Sequence, residues 1–178
     1  MRSALTIMVA AAMMPLTGVA FAGRPNEAKY PNLVKSWEAL QNARIHLQKA
    51  EEAHLKHGTL GGHGVKAVEA VDAAQAEIDM AVSFADQHRR PGPPGVVTPK
   101  PPLMARPDDA KYPNLGNARL EIEWAIRHIE DAMQYHAPTG TLGGHGEKAV
   151  GGARRALQEV GEAERWADAH ESSRGVAR

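Results

Sequence analysis

Nine histidines in a chain without cysteine are the residues whose type and spacing suggest chemistry. His54, His57 and His63 flank a glycine-rich segment, Gly58 to Gly64; His136 and His145 flank its second occurrence, Gly140 to Gly146. Histidines three residues apart share a helix face, and neutral imidazole suits copper, zinc and nickel. These five residues are the expected metal ligands, with Cu, Zn or Ni as the expected ion. The competing explanation is that histidines near helix C-termini favour the dipole and bond to free carbonyls there. His46 and His128 fall opposite Glu77 and Glu159 across an antiparallel hairpin, which predicts interhelical contacts. His88 and His170 are expected to cap their helices.

Other chemistry finds little footing. Without cysteine there is no c-type haem attachment, thiolate metal site or thiol catalysis. Gly-Gly-His-Gly lacks the Gly-Lys-Ser/Thr ending of a phosphate loop and joins two helices instead of following a strand. With no HisGluXxxXxxHis and few serines, no enzyme is expected. Lysine and arginine total 21, as do aspartate and glutamate, and they are interspersed, so nucleic acid and anionic membranes are not expected partners.

The elements that must position these histidines are written twice. Residues 26–88 and 108–170 align without a gap at an offset of about 82, with about 26 of 63 positions identical. In each copy Tyr-Pro-Asn signals a helix start, with Asn32 the expected N-cap in the first. A seam follows at alternating spacings of three and four: Leu33, Ser36, Leu40, Ala43, Leu47, Ala50, then His54 and His57. Its counterpart is Leu115, Ala118, Ile122, Ala125, Ile129, Ala132, His136 and Thr139. Glycines stop the helix. A second helix then carries Ala67, Val71, Ala74, Ile78, Ala81, Ala85 and His88, echoed by Ala149, Ala153, Ala156, Val160, Ala163, Ala167 and His170. Small residues in every seam let helices approach closely.

The expected fold is therefore all-α: two duplicated antiparallel helical hairpins packed as a four-helix up-down bundle. Residues 1–22 read as a signal peptide, with Arg2, an apolar run from Ala4 to Leu16 and an Ala20-Phe21-Ala22 cleavage signal. The first hairpin occupies 23–88, the second 108–170, and a flexible tail 171–178. Between the hairpins, 89–107 holds seven prolines; such a segment is polyproline-like, near 3.1 Å per residue, and long enough to place the second hairpin either way up. No membrane span is expected after cleavage, and the destination is periplasmic or secreted.

Pro31-Asn32-Leu33, Gly61-Gly62-His63 and Lys66-Ala67, with their second-copy equivalents, resemble a pattern in small exported proteobacterial helical proteins. The cysteine-free, alanine-rich hairpins with spaced histidines are also similar to the periplasmic small metal-binding protein family. That resemblance covers architecture and short Gly-His-Gly and Lys-Ala segments. It implies a four-helix bundle that takes up copper and other divalent ions. The first functional expectation is thus a low-affinity divalent-metal binder or buffer. The alternative is a non-catalytic helical interaction or scaffold protein of the cell envelope, partnered by an envelope protein.

Overall fold

The computed structural model describes residues 25, 27, 29–54, 59–88, 106–136 and 142–175. The leader, His57 and most of the proline-rich linker lie outside these residues. Four helices dominate: α1 (Pro31–His54), α2 (His63–Gln87), α3 (Pro113–His136) and α4 (His145–Gly175). Two short 3-10 turns, Thr59–Gly62 and Pro107–Ala110, precede α2 and α3.

Proline opens α1 and α3 because the first turn needs no N–H from it and its fixed φ already suits a helix. The carbonyls of Tyr30 and Tyr112 accept from Val34 and Gly116, each at 2.9 Å. The helix therefore begins before Asn32, which is buried in the first turn and is not its cap. At the other end α4 continues to Gly175, so residues 171–175 are helical where a flexible tail was expected.

The hairpin seams are the core. Leu33, Leu40, Ala43, Leu47 and Ala50 are buried on α1, as are Leu115, Ala118, Ile122, Ala125, Ile129 and Ala132 on α3. On α2 and α4 the buried line is mostly alanine: Ala67, Ala74 and Ala81 face Ala149, Ala153, Ala156, Ala163 and Ala167. The crossing is tight there, for a Cβ placed on Gly152 would stand 3.1 Å from that of Ala74. Burial of this apolar surface contributes the main favourable term, about 25 cal/mol per Å².

Ring and hydrogen-bond contacts fix the helix directions. Tyr30 meets His136 (centroids 6.0 Å) while His54 meets Tyr112 (5.9 Å), so α1 and α3 are antiparallel. Lys29 and Tyr30 bond to Asp86, and Lys111 and Tyr112 to Asp168, so each hairpin is antiparallel as well. The result is a square four-helix bundle, α1–α2–α4–α3 in order around it, with every adjacent pair antiparallel. Helices α1 and α4, and α2 and α3, occupy the diagonals. The main partner of α1 is α3, and that of α2 is α4, so each helix packs more on the other repeat than on its own. His88 and Arg106, which bracket the linker, consequently stand toward opposite ends of the bundle.

Candidate functional site

The glycine turns position the candidate imidazoles. Leu60, Gly61 and Gly62 adopt positive φ (47°, 64° and 79°), as do Gly143 and Gly144 (63° and 77°). That conformation suits glycine, which has no Cβ to collide with the backbone, and it swings the chain so that His63 and His145 open α2 and α4. Gly61 lies beneath the indole of Trp166: a Cβ there would come within 2.4 Å of the ring. Gly143 lies in the same way beneath Phe84, at 2.6 Å. Two residues later, His63 Nδ1 is 2.7 Å from Glu159 Oε2, and His145 Nδ1 is 2.7 Å from Glu77 Oε2.

The two halves of this arrangement are the same contact made twice. His63 and His145, Glu77 and Glu159, Gly61 and Gly143, Phe84 and Trp166 are each related by the repeat offset, so a local two-fold axis relates the hairpins. Gly-Gly-His is thus a docking element. Its glycines accept an aromatic ring from the opposite repeat, and its imidazole meets a carboxylate two turns earlier on that same helix. Each aromatic ring is backed in turn by the histidine four residues further on. His88 stacks on Phe84 (4.0 Å, 20°) and His170 on Trp166 (3.8 Å, 18°). Their Nδ1–H groups donate to the Phe84 and Trp166 carbonyls at 2.9 and 2.8 Å; His88 thereby caps α2 as expected, whereas His170, expected as a cap, lies within α4, which runs on to Gly175.

The expected metal ligands are dispersed. His63 and His145 sit in the two separate carboxylate pairs, with His63 and Glu77 about 21 Å apart along α2 at 1.5 Å per residue. His54 lies against the Tyr112 ring and His136 against Tyr30 and Tyr135. His57 is outside the described residues. Burial lowers the pKa of His136, favouring the neutral ring. Each His–Glu pair offers one nitrogen and one carboxylate oxygen, half the protein ligands of a closed tetrahedral zinc site. Among the described residues no group of three or more His, Cys, Asp or Glu side chains is arranged to hold a metal ion.

The expected partners of His46 and His128 require correction. Glu77 and Glu159 bond across the repeats to His145 and His63, because α2 and α4 are direct antiparallel neighbours. His46 is half-buried, and its Nδ1 finds no hydrogen-bond partner among the described residues. His128 is buried and stacks on Trp124 at 5.1 Å.

Sequence reasoning also passed over a buried charge cluster. Arg119, only 4% exposed at its side chain, bonds to Asp109 Oδ2 at 2.6 Å and to Glu123 Oε1 at 2.9 Å. Burial works against ionisation of Asp109, but the Arg119 hydrogen bonds, the Arg106 backbone N–H and the two guanidinium charges outweigh it, leaving its pKa lowered. The signal was present in the repeat alignment. Val34 and Trp37 in the first copy become Gly116 and Arg119 in the second, and a Cβ on Gly116 would strike Asp109 at 2.7 Å. A small residue replacing a core aliphatic beside a new arginine marks space made for a carboxylate.

No family model matches this chain, and neither a curated protein nor a solved structure does.

Proposed function

We propose that this is an exported, non-catalytic helical interaction or scaffold protein of the cell envelope. The observation carrying this reading is the use to which the turn histidines are put. His63 and His145 join the hairpins through Glu159 and Glu77, and His54 and His136 pack on tyrosines of the other repeat. Their chemistry is spent on holding a rigid bundle together, which leaves the helical exterior as the working surface. No helix among the described residues is long and apolar enough to cross a membrane. The leader at 1–22 is the basis for export.

Weak divalent-metal binding is the second reading, favoured by one observation: an imidazole nitrogen and a carboxylate oxygen stand 2.7 Å apart at two equivalent places. One titration separates the two. The mature protein is titrated with Cu(II), Zn(II) and Ni(II), alongside a variant carrying His63→Ala and His145→Ala. The scaffold reading expects no tight binding, and a variant less stable than the parent in chelator. Micromolar Cu(II) affinity stronger than that for Zn(II), abolished in the variant and weakened in acid as protons compete with the metal, would establish the metal reading in its place.

A further inference from the structure

The outward faces of α2 and α4 occupy matched places in the repeat and differ in kind. On α2 the line turned away from the seam, at spacings of three and four, is Val65, Glu69, Asp72, Ala76, Met80 and Ser83. On α4 the matched line is Glu147, Gly151, Arg154, Gln158, Glu162 and Arg165. Val65 is 52% exposed and Met80 42%, and Ile45 on the neighbouring α1 is 40% exposed. The second repeat holds Glu147, Glu162 and Arg127 at these three places. It shows how the same surface is written for water, with Arg154 paired to Glu130 and Arg165 to Glu162. A single exposed aliphatic is ordinary, but three on the outside of one hairpin, each a charge in the other, mark a surface kept apolar.

The charges on that face decide what fits it. Carboxylates outnumber bases there: Glu51, Glu52, Glu69, Asp72 and Asp79 against Arg44, Lys49 and Lys66. Arg44 is already bound to Asp72 at 3.2 Å. Burial raises the pKa of Glu51 and Asp79, and among the described residues no base offsets it, so both are taken from water without a cation in return. A second copy of the same face would set acid against acid. The second hairpin fits no better, since its Arg154 and Arg165 are paired and Tyr135 is its one exposed large hydrophobic among the described residues. We propose that the outer face of α1 and α2 docks a cationic amphipathic helix of a partner protein. Its apolar stripe covers Val65, Met80 and Ile45, and Lys or Arg on its flanks meets Glu69 and Asp79. From Val65 to Met80 is about 22 Å at 1.5 Å per residue, the length of a partner helix of about four turns. Such a helix is held by anchors at i, i+3, i+4 and i+7. The inference rests on the interaction reading above and gives that reading its class of partner.

Photo-cross-linking in the cells that make the protein tests this. A photo-reactive side chain is placed in the full chain at Ala73, exposed on the outside of α2, and in a control chain at its match on α4, Arg155. The expected result is a discrete cross-link from Ala73 to a different protein and none from Arg155. Mass spectrometry should map the attachment to a segment with Lys or Arg flanking an apolar helical stripe. That segment, made as a peptide, is then titrated into the purified mature chain. Val65→Ser with Met80→Gln, and separately Glu69→Lys with Asp79→Asn, should each weaken its binding by about tenfold or more. Neither pair should lower the melting temperature appreciably, and binding to the parent should weaken as salt rises. The proposal is overturned if Ala73 gives no discrete product, or gives one with residues 89–105 of its own chain or with another copy. It is equally overturned if the mapped segment is acidic or uncharged, or if neither variant pair weakens the peptide. A product from Arg155 alone overturns it and leaves the interaction reading standing, which falls instead by tight metal binding in the titration above.

Discussion

The first hairpin buries carboxylates against their preference, whereas the second surrounds its carboxylates with bases. Burial raises the pKa of Glu51, Asp72 and Asp79; for Asp72 the Arg44 charge offsets only part of that. In the second repeat those positions hold Met133, Arg154 and Gly161. There the perturbed acids move the other way. Asp109 is held low by Arg119 and Arg106 despite burial, Glu162 by its hydrogen bond from Arg165, and Asp168 by hydrogen bonds from Lys111 and Tyr112. Both hairpins nonetheless share one seam, one turn and one docking contact. Packing and turn geometry tolerate little change, while charge partners on a helix flank can be rearranged at small cost. The duplication thus separates what the fold needs from what it merely accommodates.

The sharpest way to break this comparison is at positions 37 and 119, where the repeats differ most. Arg119→Met should leave the Asp109 carboxylate buried without its partner and destabilise the protein by about 3 kcal/mol at neutral pH. Trp37→Met, at the equivalent half-buried site, should lose only packing area, about 1 kcal/mol. Urea unfolding at pH 7 measures both, and equal losses would mean that the charge cluster adds nothing particular to the second hairpin.

The next effect tests what the repeats share. Gly61→Ala and Gly143→Ala combine positive φ with a collision against Trp166 or Phe84, and each should cost about 2 kcal/mol or more. Gly62→Ala and Gly144→Ala have the strained φ but open space around the new methyl group, and should cost about 1 kcal/mol. Thermal melts showing all four alike would remove the docking role assigned to the rings.

Acid titration sharpens the electrostatic contrast. The raised pKa values of Glu51 and Asp72 penalise the folded state at neutral pH, and the penalty fades as pH falls toward the unfolded values near 4. Glu51→Gln should therefore stabilise at pH 7 and have little effect near pH 4. Asp109 has the opposite sign: its lowered pKa gives stability above about pH 3.9 that is lost as pH falls through the folded value. Asp109→Asn should accordingly destabilise at pH 7, with the loss shrinking below that point. His136 adds a separate limb. Its lowered pKa makes protonation unfavourable in the folded state, so stability declines as pH drops from about 6.5, and His136→Gln should flatten that decline. Parallel stability–pH curves for these variants and the parent would contradict the assignments.

The smallest effect lies in α4. At Gly151 nothing lies within 4 Å of the place a methyl group would take, so Gly151→Ala should raise stability by up to about 1 kcal/mol through helix propensity alone. Gly152→Ala has the same propensity gain but meets the backbone of Ala74 at 3.2 Å, and should gain less or lose stability. Calorimetry ranking Gly152→Ala above Gly151→Ala would show that the alanine-lined crossing of α2 and α4 is not close-packed.

Local rules carried the sequence reading a long way. The seams at three-and-four spacing are buried from Leu33 to Ala50, Leu115 to Ala132, Ala67 to Ala81 and Ala149 to Ala167, because helical period and apolar content are properties of a short stretch of chain. The glycine turns, the antiparallel hairpins and the capping of α2 by His88 were legible for the same reason. The pairing of Glu77 with His145, of Glu159 with His63, and the Arg119 cluster were not. Each depends on which flank of one hairpin faces the other, and the order α1–α2–α4–α3 is set only when both seams are buried together. A flank residue has a period but no address until its neighbour arrives. The sequence by itself determined four helices, their buried stripes and their stops, since these are written in nearest-neighbour chemistry. Only the tertiary structure decided where the histidines' nitrogens point, since that follows from the docking of two hairpins about a two-fold axis.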